Sequence, residues 1–296
     1  MGGSKSCRRL WSPERQGDDL VPLVSTKPVH CDKRGEVEID EHAYLASHRS
    51  HEVNILLKRW RAVARGADLR VVNLLEEGQY PVLALYNRRP ISGQGLYLSA
   101  GIHGDEPAAV QGLVQWAEEN PGVLRENPVV ILPCLNPWGL SENRREDQEG
   151  CDLNRCFARP GIKLIGAIRD LIAGRFFAMA VNLHEDFDAN GIYLYELARR
   201  GEKRGEALLE AVEQIIPRHH GAVDGKVPKN GVIRRTNNLH RIAREIDGMP
   251  ESIHLFLNGA RTAFTFETPS EYSLYRRLRC HVRFLEGVVE LAGCRT

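Results

Sequence analysis

The chain has 296 residues, 42% of them hydrophobic and 27% charged, with a formal net charge of +1. That supplies apolar material for one large core or two small ones, and so even a balance gives no reason to expect nucleic acid or an anionic membrane as the main partner. No run approaches the ~18 apolar residues of a transmembrane helix, and the seven scattered cysteines form no Cys-x-x-Cys pair, which reads as reduced thiols in a cytoplasmic setting; a Cys151–Cys156 bridge stays open as an exception.

Residues 1 to about 40 are rich in Ser, Pro, Asp, Lys and Arg and poor in apolar clusters, so they are expected to form an N-terminal extension, with a single catalytic domain over 41–296. The basic residues near Met1 are followed by no apolar segment of the kind a cleaved secretory signal needs. Val53, Leu56, Leu57, Trp60, Val63 and Ala64 recur at helical spacing and predict an amphipathic helix ending near Gly66. Two short runs, 69–75 and 81–86, joined at Glu77-Gly78, predict a hairpin.

From there strands and helices alternate. Strands are predicted over 95–100, 129–134, 177–183, 192–197 and 262–267, and helices over 107–119, 162–173, 203–216 and 274–291, with Ser141 to Gly150 a long loop. This interleaving implies an α/β architecture, a mixed and mostly parallel twisted sheet sandwiched between helices. Such sheets hold ligands in the loops beyond the carboxyl ends of their strands.

His103-Gly104-Asp105-Glu106 falls at such a position, after an apolar run and just before Pro107 opens a helix. An imidazole and a carboxylate on one tight connection can share a zinc ion, with Gly104 easing the bend. His184, at the end of the apolar run from Phe177, is a candidate third ligand. Two histidines, one glutamate and an open water position make a catalytic zinc pattern. Read alone, the tetrapeptide is an ordinary polar turn and His184 a hydrogen-bonded strand-end histidine; the segments around them change that reading. Asn136-Pro137-Trp138-Gly139 leads into Arg144-Arg145 and then Asp152-Leu153-Asn154-Arg155, and Phe264-Thr265-Phe266-Glu267 closes a later strand.

With these motifs in this order over residues 95 to 270, the chain resembles the zinc carboxypeptidase family, in its compact bacterial form. The resemblance implies one zinc ion held by His103, Glu106 and His184. It implies Glu267 as general base and acid, and Asn154 and Arg155 as the pair that holds a substrate's terminal carboxylate. Arg145 matches the arginine that polarises the scissile carbonyl, with adjacent Arg144 as the alternative. The chemistry suits each role: a zinc ion with an open site brings a water's pKa to about 7, a carboxylate can take that water's proton, fixed positive charge stabilises an oxyanion, and a guanidinium fork binds a carboxylate in bidentate fashion. Burial beside Phe264 and Phe266 is expected to raise the pKa of Glu267. Asp152 is read either as a helix cap or as a hydrogen-bond partner of a ligating histidine.

The pattern departs from the larger family members in lacking a tyrosine about twenty residues before Glu267, where Arg244-Glu245-Ile246-Asp247 stands; Tyr193, Tyr195 and His254 are loose replacements. Glu185, Asp186 and Asp188 form an acidic cluster that would favour a basic substrate side chain if it lined the pocket. Removal of a C-terminal residue from peptides is the leading expectation. N-acyl amino acid deacylation of the succinylglutamate desuccinylase or aspartoacylase type, cleavage of γ-D-glutamyl linkages in cell-wall peptides, and a catalytically silent peptide-binding module are the alternatives. Relatives of the deacylase type carry a small polar residue after the strand-end histidine, where this chain has Glu185, and a silent module would have no reason to keep Glu267.

Overall fold

The computed structural model describes residues 40–89, 95–199, 202–235 and 238–295, so the expected extension lies outside the described residues apart from Asp40. Residues from Glu41 onward form one compact unit. Its elements are α1 (Glu41–Ser47), α2 (Val53–Gly66), β1 (Leu69–Glu77), β2 (Tyr80–Asn87), β3 (Gly95–Ala100), α3 (Pro107–Glu119), α4 (Pro121–Glu126), β4 (Val129–Leu132) and α5 (Pro137–Glu142). A short 3-10 turn at Leu153–Arg155 precedes α6 (Lys163–Ile172), β5 (Phe177–Asp186), β6 (Tyr193–Ala198), α7 (Gly205–Val212), β7 (Val232–Arg234), α8 (Leu239–Glu245), α9 (Glu251–Leu257), β8 (Ala260–Pro269) and α10 (Leu274–Ala292). Among the described residues no helix is long and apolar enough to cross a membrane.

The strands make one eight-stranded sheet in the order β1-β2-β4-β3-β5-β8-β6-β7. The central pairs β4-β3, β3-β5 and β5-β8 are parallel, as is β6-β7 at the edge, while the β1-β2 hairpin, β2-β4 and β6-β8 are antiparallel. The mixed, mostly parallel sheet expected from the alternating pattern is therefore present, with helices on both faces.

Because side chains alternate along a strand, each central strand feeds two cores. Leu96, Leu98, Ile131, Val181, Leu183, Phe264 and Phe266 point toward the face covered by α2, α3, α7 and α10. Tyr97, Val130, Leu132, Ala180 and Ala263 point the other way, toward α6, α8 and α9. Phe266 stacks on Phe284 of α10 with ring centroids 4.1 Å apart. The same two-residue period puts His184 and Glu267 on the face opposite Phe264 and Phe266, so the two phenylalanines are core residues and are not what buries the glutamate.

The strands that carry those two residues also run further than the apolar pattern suggests. His184 lies within β5 and pairs directly with Glu267 within β8, and pairing continues to Asp186 and Pro269. Backbone hydrogen bonding keeps the strands going after their apolar residues stop, so His184 and Glu267 stand on the sheet itself, not in loops beyond it. The Glu77-Gly78 hairpin forms as expected, with Gly78 at φ +61°.

Gly104 has another reason for being glycine than the bend expected of it. It does not adopt a positive φ; it packs flat on α5, where an added Cβ would stand 2.0 Å from the Gly139 carbonyl carbon and 2.4 Å from the Leu140 nitrogen. Both obstacles are backbone and cannot swing aside. We expect Gly104→Ala to lower unfolding free energy by about 3 kcal/mol or more, whereas Gly166→Ala in α6, with nothing within 4 Å of its added Cβ, should raise it by about 0.5–1 kcal/mol. Urea denaturation of the two variants against the parent chain measures both shifts.

Candidate metal centre

Three ligand-bearing side chains from two parts of the fold converge. His103 and Glu106 come from the β3–α3 connection and His184 from the adjacent strand β5, and their candidate ligand atoms all lie within 4.8 Å of one another. All are buried. The two imidazole rings sit 5.0 Å apart, with His103 Nδ1 2.6 Å from Glu106 Oε1 and His184 Nδ1 3.0 Å from Glu106 Oε2. The second of these contacts lacks hydrogen-bond geometry, so Glu106 Oε2 is a buried oxygen with no hydrogen-bond partner among the described residues.

The electrostatics show what the cluster lacks. Burial works to raise the Glu106 pKa, yet the charges of His103 and His184 overcome it and hold the carboxyl well below the usual range. Burial likewise disfavours an imidazolium at His103, but Glu106 and the hydrogen bond to Asp152 carry it up to about 9. A buried carboxylate here draws positive charge from whatever is at hand. Two nitrogens and a carboxylate, with an unbonded buried oxygen among them, fit a divalent cation of the zinc type, which would remove the need to protonate the rings.

The surrounding loop is held by residues of the sequence motifs. Asn136, fully buried, caps α5 by accepting from the Gly139 N–H at 2.7 Å and donates through Nδ2 to the Glu146 carbonyl at 2.9 Å and the Arg145 carbonyl at 3.3 Å. That fixes where Arg145 leaves the backbone. Its guanidinium donates to Asp152 Oδ2 at 3.0 Å and lies 3.9 Å from Glu106 Oε1. Asp152 in turn contacts His103 Nε2 through Oδ1 at 3.2 Å and accepts the Asn154 N–H at 2.9 Å, so it fills both the cap and the histidine-partner readings. Burial opposes its charge, but His103 and Arg145 hold its pKa below the ordinary range. Arg144 turns away and lies over the Trp138 ring at 5.6 Å.

Asn154 and Arg155 line the same cavity as His103, Glu106, Arg145, His184 and Glu267, a space of about 290 Å³. The side-chain oxygen of Asn154 accepts the Glu251 backbone N–H at 3.0 Å, which leaves its NH₂ group as the donor available elsewhere. Glu251 is itself buried, receiving hydrogen bonds from Tyr97 and from Ser99 at 3.0 Å. Sequence pattern gave no hint of Glu251, since α9 is only seven residues long and one glutamate at its start looks like a surface acid.

Glu267 is 9% exposed, and its pKa is pushed up to about 8, chiefly by burial and further by Glu106 and Asp186, against the pull of His184. The acidic cluster after His184 is divided: Asp188 is exposed and lines the cavity, while Glu185 and Asp186 are engaged by neighbours. Glu185 caps α3 through the Ala108 N–H at 2.6 Å and pairs with Arg277; burial nonetheless brings its pKa to about 7. Asp186 accepts from the Tyr193 hydroxyl at 2.7 Å. Tyr193 and Tyr195 line the cavity, whereas His254 packs against Phe157 at 5.5 Å. Cys151 and Cys156 carry free thiols with their sulfurs 2.9 Å apart.

Residues 92–187 match the family model of the succinylglutamate desuccinylase/aspartoacylase catalytic domain, a span that holds the ligand triad and the loop of Arg145, Asn154 and Arg155 but stops short of Glu267. Among curated proteins no sequence matches. A provisionally named metallopeptidase from Shewanella denitrificans shares the fold with a TM-score of 0.72 at 20% identity, covering 83% of this chain and 91% of that one. A metallo-carboxypeptidase from Burkholderia cenocepacia gives 0.60 at 15% identity, covering 80% of this chain and 68% of that one. Another from Pseudomonas aeruginosa, in complex with (2-guanidinoethylmercapto)succinic acid, gives 0.53 at 18% identity with the same coverages of 80% and 68%. The chain thus shares the fold of these metallopeptidase and metallo-carboxypeptidase structures. Its segment 92–187 relates it to succinylglutamate desuccinylase and aspartoacylase.

Asp152 touches a candidate ligand without being one, and such partners tune metal affinity. Asp152→Asn is expected to weaken zinc binding about 10–100-fold, measured by competition with a chromogenic chelator; an unchanged affinity would show that the contact with His103 does not matter to the metal.

Proposed function

We propose that the protein is a zinc-dependent hydrolase that removes the C-terminal residue from peptides. The observation that supports this reading is that one cavity is lined by Asn154 and Arg155, which suit a carboxylate, by the buried Glu267, which suits a base, and by the cluster His103, Glu106 and His184. A zinc ion held by those three side chains would supply Lewis acidity and bring a water's pKa to about 7.

The chain's own residues do the rest. Asn154 Nδ2 and the Arg155 guanidinium hold the substrate's terminal carboxylate and so fix which amide bond lies over the centre. Arg145, tied down by Asp152, presents its guanidinium to the carbonyl oxygen as negative charge develops there. Glu267 takes a proton from the attacking water onto its carboxylate and hands it to the leaving amine. Its burial makes the protonated form easy to reach, which a group that must both accept and release a proton requires, and a nearby cation would draw its pKa back down.

A second reading, deacylation of N-acyl amino acids, is favoured by the family-model match over 92–187. An N-acyl amino acid also offers a free carboxylate next to a scissile amide, so the same anchor serves both. The presence of Glu185 in place of a small polar residue does not weigh against it, because that side chain is committed to α3 and Arg277.

With zinc bound, peptides with a free C-terminus should be cleaved and their C-terminally amidated counterparts should be inert, read by mass spectrometry; equal rates on the two would remove the carboxypeptidase assignment. A kcat/KM for N-acyl amino acids well above that for peptides would decide for the deacylase. Glu267→Gln should lower kcat by about a hundredfold or more with the zinc content unchanged, and loss of the metal in that variant would mean the glutamate is structural.

A further inference from the structure

Two thiols flank the loop of Asp152, Asn154 and Arg155 and have no part in the chemistry proposed above. Cys151 stands immediately before Asp152-Leu153-Asn154-Arg155 and Cys156 immediately after it. The 3-10 turn at Leu153–Arg155 brings the two ends back together, so the sulfurs lie 2.9 Å apart, both as free thiols. Joining them asks a side-chain movement of less than about 1 Å.

Each cysteine is held by a different part of the fold. Cys151 exchanges two hydrogen bonds with the buried Asp147: its N–H donates to Oδ1 at 2.7 Å, and its carbonyl accepts the Asp147 N–H at 3.1 Å. Cys156 is bracketed by Met249, which donates to the Arg155 carbonyl at 3.0 Å and accepts the Phe157 N–H at 3.1 Å. The meeting of the sulfurs is therefore set by backbone outside the loop as well as by the turn within it. Neither cysteine lines the cavity, so a bond between them leaves that space unobstructed. The bond would enclose Asp152, whose carboxylate touches His103 and Arg145.

The two thiols differ in access. Cys156 is fully buried, whereas Cys151 is half-buried and follows directly on the exposed Glu149 and Gly150. Burial and the hydrogen bond with Cys151 push the Cys156 thiol up to about 12, so Cys151 is the one that meets a reagent from solvent. We propose that Cys151 and Cys156 are a reversible modification site, a thiol pair that hydrogen peroxide closes into a disulfide, stapling the loop of Asp152, Asn154 and Arg155. The Cys151 sulfur attacks a peroxide oxygen, the O–O bond breaks, and a sulfenic acid and one water result. The Cys156 sulfur then attacks the Cys151 sulfur; the S–S bond forms, the S–O bond breaks, and the departing hydroxide takes the Cys156 proton as a second water. The two thiols lose two electrons and the peroxide gains them. A dithiol reductant reverses the bond by exchange. The proposal goes beyond the hydrolase reading and holds for either substrate, because it concerns the loop and not what the loop binds.

The test treats the zinc-loaded full-length protein with hydrogen peroxide, blocks the remaining thiols with N-ethylmaleimide and digests with trypsin. Because Arg155 lies inside the ring, the bridged form should yield residues 146–155 and 156–163 joined as one species, which dithiothreitol separates. A non-reducing gel of the undigested protein should show a single-chain band. Amide hydrogen exchange over residues 152–155 should slow on oxidation and recover on reduction, and the melting temperature should rise and fall with it. Cys156→Ser should give no joined species and instead carry Cys151 on to sulfinic acid. Absence of the joined species in the parent protein overturns the proposal whether or not the variant folds, as does a band of two linked chains. Joined peptides with unchanged exchange over 152–155 overturn the staple.

Discussion

A carboxylate sealed between two imidazoles is the constraint around which the rest is arranged. Glu106 cannot stay charged in the interior without a positive partner, and each nearby element helps to supply or steady one. α3 begins at Pro107 immediately after it; β5 delivers His184 from the neighbouring strand; Asp152 grips the far nitrogen of His103 and also holds Arg145. The motif residues that look scattered in sequence are mutually dependent in space. Asn136, which touches no candidate ligand in the hydrogen bonds described, sets the backbone from which Arg145 departs.

The sheet divides labour by parity. Along β5 and β8 one set of alternate residues builds the aromatic core against α10, and the other set carries Asn182, His184, Thr265 and Glu267. A register slip of one residue would exchange the two, putting phenylalanines in the cavity and ionisable groups in the core. The catalytic candidates are therefore guarded by the packing of Phe264 and Phe266 on Phe284, although none of those rings reaches the site.

The legible parts of the fold were those with long periodic signals. The α2 stripe ending in Trp60 and Val63, the run before His103, and α3 from Pro107 to Glu119 were evident because apolar spacing and a proline mark them. β7, α8 and α9 span three to seven residues, too few for periodicity to separate from chance, and β7 and α9 lead to Arg235 at the cavity and to Glu251 buried against Tyr97 and Ser99. The ligand triad and the Arg145, Asn154 and Arg155 loop were legible because the motifs are compact and ordered. The choice between Arg144 and Arg145 was not, since adjacent side chains in a loop have no periodicity to separate them. Nor could sequence show that Glu185 is spent on α3 and Arg277, because both partners are distant along the chain and meet only after β5, α3 and α10 have packed.

The root of the anchor has a consequence for how the protein would meet its ligand. Asn154 is exposed enough to line a cavity, yet its carbonyl oxygen is clamped by α9, whose first residue sends its carboxylate through the sheet face to Tyr97 and Ser99 in the central strand β3. Asn182 donates to the same serine at 2.8 Å. Hydrogen exchange in this loop should then follow opening of the sheet rather than local fraying, and an incoming carboxylate would find its receptor already stiff, with little ordering entropy left to spend on docking.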